Sequence, residues 1–285
     1  MSNQGTSAGS GVSGSADARA TGLSVPRWLG EQAAVLASVL LVAVVWHVAA
    51  VSTPAYVFPT APELAAAFVA AFGSNAEFAP VENYGITLLR VAFASVLCLV
   101  VGVALGIVMG TNERADEYLY VYVLATFAFP SVIWAFLAVI WFGFTTWFVA
   151  VFTVFMIVAP YVAITVKEGI EDLDPDLTRM ARSFDASAFM IWQRIYIPHL
   201  YPHIFASTRL TVTLAWKITL IAEIFGTETG LGGIINYYFQ ANQNHMIIAW
   251  VLPMMAFMFL VDRGLRRIET ERFSWRTDAE PPRAA

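Results

Sequence analysis

Residues 118–166 read YLYVYVLATFAFPSVIWAFLAVIWFGFTTWFVAVFTVFMIVAPYVAITV, and none of these 49 residues carries a formal charge. A helix needs about 20 apolar residues to cross the hydrocarbon core of a bilayer. The stretch is about twice that length, so it predicts two membrane spans with a tight turn near residues 143–146. Pro130 and Pro160 fall inside these spans and predict kinks rather than breaks, because neighbouring helices can satisfy the freed carbonyl groups.

The composition of the whole chain agrees with this stretch. Of 285 residues, 58% are hydrophobic and 13% are charged, and the mean hydropathy is +0.66. Soluble domains are about half apolar and about a quarter charged, so an ordinary soluble domain is excluded. The net charge of -5 provides no basic field for nucleic acid. The single cysteine, Cys98, excludes an intrachain disulfide and a cysteine-rich metal site.

Four further apolar stretches bring the expected number of spans to about six. They are residues 33–51, 91–110, 208–225 and 246–261. We therefore expect an all-α, polytopic membrane bundle over residues 29–268. Flexible tails are expected on either side, at residues 1–28 and 269–285.

Three glycines recur at a spacing of four residues in the second span. Gly102, Gly106 and Gly110 share one helix face, and small residues at this spacing let a neighbouring helix approach closely. The pattern predicts helix packing rather than contact with a ligand.

The basic residues indicate which side of the membrane each loop occupies. With six spans, both termini and every second loop lie on the same side of the membrane. All lysines and arginines except Arg90 and Lys217 lie at the termini, in these loops or directly beside them. Cytoplasmic loops are enriched in Lys and Arg, so we expect both termini and the loop at 167–203 to be cytoplasmic. No Lys or Arg occurs in the loops expected outside, which are residues 52–82, 143–146 and 226–245.

The loop at 167–203 predicts two short helices around a turn. Asp174 can cap the first, with Pro175 at its first position, and Ser187 can cap the second, which Pro198 would end. Nothing in the loop has catalytic spacing. A compact helix pair of this kind indicates a docking element, and the alternative is a solvated hairpin.

At this loop the sequence resembles the permeases of ABC importers, the binding-protein-dependent transport inner membrane components. The strings LDPDL at 173–177, MARSFDAS at 180–187 and RIYIP at 194–198 are similar to the EAA loop of that family. The resemblance covers roughly residues 30–270 and is greatest to the sulfonate, taurine and nitrate branch. Its other motifs are FPTAP at 58–62, TLLR at 87–90, WFG at 141–143, AWK at 215–217, AE at 222–223 and TGLG at 229–232.

The resemblance implies a fold like that of type I ABC importer permeases, located in the cell membrane. It also implies four kinds of partner: a separate ABC ATPase, an extracytoplasmic solute-binding protein, a second permease copy in a homodimer, and the lipid bilayer. The ATPase-docking residues that it implies are Arg179, Ala181, Arg182, Ser183, Asp185, Ala186, Ser187 and Pro198. Arg179 stands where the family usually has Glu, and Asp185 where it usually has Gly. Aspartate tolerates the left-handed conformation of a turn, so we expect the loop to keep its fold.

ATP hydrolysis is expected on a separate subunit. A Walker A loop requires Gly-Lys-Ser/Thr, and the two lysines, Lys167 and Lys217, follow Val166 and Trp216. We therefore expect no catalytic residue and no cofactor on this chain, with ATP and Mg²⁺ on the partner. An ion-gradient-driven secondary carrier or channel is the alternative, but it predicts an inverted repeat that the sequence does not show.

Two charged residues inside the fifth span are candidates for the translocation path. An unpaired charge at this depth is costly, so Lys217 and Glu223 would line or flank the polar path. Lys217 would attract a small anionic solute. The alternative is that they pair with charges on other helices. His199 and His203 have the i, i+4 spacing of metal ligands, but Pro202 lies between them and no third ligand is evident, so no metal site is expected.

Overall fold

The computed structural model describes residues 27–54, 56–144 and 147–272, and the described residues form helices and connecting segments without a strand. Most of the two predicted tails, at 1–26 and 273–285, lies outside this range. Residues up to Val48 form one unit and residues from Ala49 form a second. The described part of the first unit is most of helix α1. This helix is apolar from Val35 onward and long enough to cross a membrane.

The helices follow in chain order: α1 (Arg27–Ser52), α2 (Ala61–Phe72), α3 (Pro80–Thr111), α4 (Glu113–Ala128), α5 (Ser131–Phe142), α6 (Phe148–Glu171), α7 (Pro175–Ser183), α8 (Ala188–Ile191), α9 (Ile197–Gly226), α10 (Leu231–Gln240) and α11 (Asn244–Arg272). A π-helical turn, Trp192–Tyr196, joins α8 to α9. Within the described residues, 5 helices have the length and composition of a span, or up to 6 if the bent pair α4 and α5 counts as one. This agrees with the expected all-α bundle of about six spans.

The two prolines of the long uncharged stretch behave differently. Pro160 lies inside α6, which continues through it, as expected. The expected kink at Pro130 is instead a break, since α4 and α5 meet there at an angle of 97°. Phe129, before the proline, is extended at φ -86° and ψ 126°, because the proline ring disfavours helical geometry in the preceding residue.

Three elements extend beyond the ends that the sequence predicts, two of them because a helix can continue past a charge-free run. The helix of the second span begins at Pro80 rather than at residue 91, and therefore includes Arg90. The last helix extends to Arg272, beyond the apolar run at 246–261. The second short helix of the 167–203 loop does not end at Pro198. It continues through the π-helical turn into α9, and Pro198 lies in the first turn of α9.

Helices α3, α6 and α9 pack against one another and contribute most of the buried apolar side chains. The three glycines of α3 lie at this contact. A Cβ atom added at Gly102 would lie 2.6 Å from Val162 Cβ, and one at Gly106 would lie 2.5 Å from the carbonyl oxygen of Ala163. At Gly110 the nearest atom would be Ile170 Cβ, at 2.8 Å. The glycine face of α3 therefore lies directly on α6.

Replacing Gly106 with alanine should lower the stability of the chain. The new methyl group would overlap the backbone of α6, and overpacking of this kind costs about 1–3 kcal/mol. Gly85→Ala is the matched control, because it lies in the same helix and a Cβ there meets nothing within 4 Å. In thermal unfolding, Gly106→Ala should reduce Tm while Gly85→Ala leaves it equal or higher. Equal values for the two variants would show that the α3–α6 contact is not tight.

Candidate functional site

The loop at 167–203 contains the two capped helices that its sequence predicts. Asp174 Oδ1 accepts a hydrogen bond from the Asp176 amide at 2.9 Å, and Ser187 Oγ accepts one from the Met190 amide at 3.2 Å. Between α7 and α8 the turn places Asp185 at φ 55°. The expectation that Asp185 takes the left-handed conformation is confirmed, which explains how the chain turns here without a glycine.

Most of the predicted docking residues lie close to this turn. Arg182, Asp185 and Ser187 are exposed, and Ala186 is half-buried. Arg179 is also exposed and pairs with Asp176 at 2.8 Å, within α7. Pro198 lies further from the turn, because ten residues of helix stand between it and Ser187, or ~16 Å from one to the other along the axis at the usual rise.

Large apolar side chains surround the turn and are open to solvent, which sequence reasoning missed. Phe184 is 80% exposed and Phe189 is 75% exposed, with Met180 and Met190 also exposed. Leu177 lies two helical turns before Phe184 on α7 and is also exposed, so none of the described helices covers this apolar face. Exposed apolar side chains grouped in this way are typical of a protein contact surface.

Two charges that the sequence left separate form a buried ion pair. Arg90 Nη1, on α3, donates to Glu223 Oε1, on α9, at 2.5 Å, and neither side chain has any exposed surface. The guanidinium also donates to the carbonyl oxygen of Thr229 at 3.0 Å and to its Oγ1 at 2.9 Å. The Thr87 hydroxyl donates to Glu223 Oε2 at 2.9 Å. Three sequence motifs, TLLR, AE and TGLG, therefore meet at one point.

The same carboxylate holds the start of α10. The Gly232 amide donates to Glu223 Oε2 at 2.9 Å, and the Leu231 amide donates to Thr87 Oγ1 at 2.8 Å. Gly230 turns the chain with φ 88°, and a Cβ atom there would lie within 2.9 Å of both Glu223 and Arg90. A carboxylate at a helix N-terminus is favourable for the helix dipole. The cluster thus attaches α10 to α3 and α9.

This geometry separates the two candidate path residues. Glu223 lies inside the helix bundle and pairs with Arg90 of α3, which is the alternative that the sequence left open. Lys217 is exposed, and no ion-pair partner for it occurs among the residues that the structure describes. It lines a groove of about 360 Å³ between α9 and α11. Of the two, only Lys217 has an exposed side chain.

The connecting segments between the spans carry acidic side chains with their own contacts. Glu77 accepts hydrogen bonds from the hydroxyl groups of Tyr237 at 2.7 Å and Tyr238 at 3.1 Å, which join α10 to the segment before α3. Burial, followed by this carboxylate, raises the pKa of Tyr238 to about 12. At the start of α2, hydrogen bonds from Thr60 lower the pKa of Glu63.

A metal-binding cluster of three or more His, Cys, Asp or Glu is absent from the described residues. His199 and His203 lie on one face of α9 with ring centroids 5.7 Å apart. His203 lies against Gly169 of α6, since a Cβ added to that glycine would be 2.6 Å from the imidazole. This contact is one of helix packing.

The fold is that of the membrane subunit of an ABC importer. A solved structure of the MetNI methionine ABC transporter, in an inward-facing conformation, matches with a TM-score of 0.57 at 18% identity, over 66% of this chain and 94% of the other. The family model "Binding-protein-dependent transport system inner membrane component" matches residues 102–272, and the chain belongs to this family.

Known relatives are transport permeases named for different substrates. The taurine transport system permease protein TauC of Escherichia coli (strain K12) is 22% identical over 70% of this chain and 72% of its own length. The formylaminopyrimidine transport permease protein ThiX of Halalkalibacterium halodurans is 22% identical over 67% of this chain and 76% of its own. This chain is accordingly a multi-pass permease subunit, and its family implies an ATPase and a solute-binding protein as partners.

Proposed function

We propose that this permease couples to its ATPase through the turn between α7 and α8. The observation that carries the proposal is the exposed surface at this turn, where Phe184 and Phe189 stand beside the charges of Arg182 and Asp185. A surface with apolar anchors and a charged rim is suited to a protein partner. Of the predicted set, we assign docking to Arg179, Ala181, Arg182, Ser183, Asp185, Ala186 and Ser187.

The transport step follows from this coupling. Two copies of the permease enclose a path, and ATP-driven closure of two ATPase subunits draws their α7–α8 turns together. The bundle then alternates between inward and outward access, because ATP binding favours one of two conformations. ATP and Mg²⁺ stay on the ATPase, and this chain provides the mechanical connection and the path.

The proposed orientation places the termini and the α7–α8 turn in the cytoplasm. It rests on the basic residues, which are concentrated on that side. The solute-binding protein would then meet the segments around α2 and α10, which contain acids and no Lys or Arg.

The proposed solute is a small organic or inorganic molecule with an anionic group. Lys217 supports this, because an ammonium inside an apolar span attracts an anion more strongly than it would in water. Taurine, for which the relative TauC is named, contains a sulfonate and supports the same class. We propose Lys217 as a path residue, and Glu223 as a residue that holds the adjoining helices.

Purification of the tagged chain together with the products of neighbouring genes tests this function. We expect an ABC ATPase to copurify, and ATP hydrolysis to rise severalfold when the ligand-loaded binding protein is added to the complex in nanodiscs. The same complex without the binding protein is the control. A chain that purifies alone, or hydrolysis that ignores the binding protein, would contradict the proposal.

A further inference from the structure

The break between α4 and α5 lies at membrane depth. Asp116, in the first turn of α4, pairs at 2.8 Å with Lys167, near the end of α6, and this pair marks the level at which both helices reach the charged surface. From Glu117, the last charge before the break, Pro130 follows ~20 Å further on at the usual rise of a helix. The hydrocarbon core of a bilayer is about 30 Å thick, so the break is inside it.

A break in a helix frees backbone groups from their helical partners. The amides of Ser131 and Val132 begin α5 without a side-chain cap, and the carbonyl groups in the last turn of α4 have no helical amide after them. Within the described part of the chain, the Trp134 indole donates to the Thr126 carbonyl at 3.4 Å, and no other side chain bonds to these groups. The remaining groups need partners that the described residues do not supply.

The surface of the break is open in the single chain. Phe129, Val132 and Ile133 are exposed, and so are Ala128 and Pro130. In hydrocarbon each backbone group without a partner costs several kcal/mol, so irregular backbone at this depth is tolerated only inside protein or beside a water-filled cavity. The break therefore faces another protein surface or water, and not lipid.

A second copy of the chain has no partners to offer at this place. In a two-fold contact the same patch meets itself on the other subunit. Apart from Ser131, the side chains of residues 128–133 are apolar, so they neither donate nor accept hydrogen bonds. Water can satisfy the free amides and carbonyl groups, which favours a water-filled surface.

We propose that the α4–α5 break lines the water-filled translocation path, with Ser131 and the free amides of the first turn of α5 on its wall. This rests on the proposed function, which places a path between two copies of the permease. It assigns the path to a segment that contains no charged residue, and gives the 97° bend at Pro130 a role, because the bend turns unpaired backbone toward water.

Cysteine accessibility in the complex with the ATPase, in nanodiscs, tests this assignment. Cys98, which is buried, is first replaced by alanine, and single cysteines are introduced as Ser131→Cys and Ala128→Cys. Val96→Cys is the matched control, because this side chain is 60% exposed on α3 at a similar distance from the charged surface. The probe is a methanethiosulfonate reagent with a trimethylammonium group.

We expect the two cysteines at the break to react about tenfold or more faster than the control. Moving the charged reagent into hydrocarbon costs more than the ~1.4 kcal/mol that corresponds to a factor of ten in rate. The attached cation should also obstruct the path, so labelling of Ser131→Cys should lower stimulated ATP hydrolysis severalfold. The Cys98→Ala complex treated with the same reagent is the control for this second readout.

Two outcomes would overturn the proposal. One is that both cysteines at the break react as slowly as the control, although all three react after denaturation. The other is fast labelling that leaves stimulated hydrolysis unchanged, which would mean a water pocket outside the path. Copurification of the ATPase and stimulated hydrolysis are measured on the Cys98→Ala complex before labelling, so a failure of the proposed function is seen separately.

Discussion

Reversing the two charges at the α7–α8 turn should uncouple the transporter. In a variant with Asp185→Arg and Arg182→Glu, we expect ATP hydrolysis stimulated by the binding protein to fall about tenfold or more. Like charges facing each other across an interface cost several kcal/mol, and about 1.4 kcal/mol corresponds to a factor of ten. Both side chains are exposed, so Tm of the isolated permease should change little.

Two further variants separate charge from backbone conformation. Asp185→Gly removes the charge but accepts φ 55° without strain, so it should keep a large part of the stimulated hydrolysis. Asp185→Val is strained in that conformation and should lose it. Arg267→Glu is the matched control, because this side chain is 82% exposed on α11, away from the turn. If the double charge reversal hydrolyses ATP like the unmodified transporter, the turn is not the docking site.

Removing Arg90 should produce the largest loss of stability among single substitutions. Arg90→Ala leaves the Glu223 carboxylate buried without its cation, and breaking a buried ion pair in this way costs about 3–5 kcal/mol. We expect a large decrease in Tm in nanodiscs, or failure to obtain a folded chain. Because Glu223 also holds α10, protease cleavage between residues 227 and 243 should become faster.

A double variant gives a second readout. With Arg90→Met and Glu223→Leu no buried charge is left unpaired, so part of the lost stability should return, while the Gly232 amide, which then lacks its acceptor, keeps the variant less stable than the unmodified chain. Arg209→Ala is the control, since the Arg209–Glu269 pair is partly exposed, at 35% and 29%, and such pairs contribute about 1 kcal/mol or less. An Arg90→Ala variant no less stable than Arg209→Ala would refute the structural role.

Helix caps and the turn residue could be predicted from the sequence, but contacts between distant segments could not. Asp174, Ser187 and Asp185 act on their immediate neighbours, so capping and turn preferences identified them. Arg90 and Glu223 are 133 residues apart, and no single-sequence pattern specifies that they meet. Their only signal was that both belong to motifs of the resemblance.

Helix boundaries could not be predicted from charge-free runs, for a related physical reason. A charge-free run is a good sign of a span, but a paired charge is tolerated inside the bundle, as Arg90 is. Proline also has no single meaning. Pro160 lies within a helix and Pro130 ends one, because the outcome depends on whether neighbouring helices constrain the chain there.

The continuity of α8, the π-helical turn and α9 makes this part of the chain a mechanical lever. Residues Ala188–Gly226 form 39 residues of unbroken helix, or ~57 Å at the usual rise. The segment begins beside the turn at Asp185, and Lys217 lies along its length. Near its other end, Glu223 accepts a hydrogen bond from the first turn of α10. A tilt of ~5° at one end of a rod this long displaces the other by ~5 Å. Motion of an ATPase at the turn would therefore reach the opposite side of the bundle along one continuous helical segment.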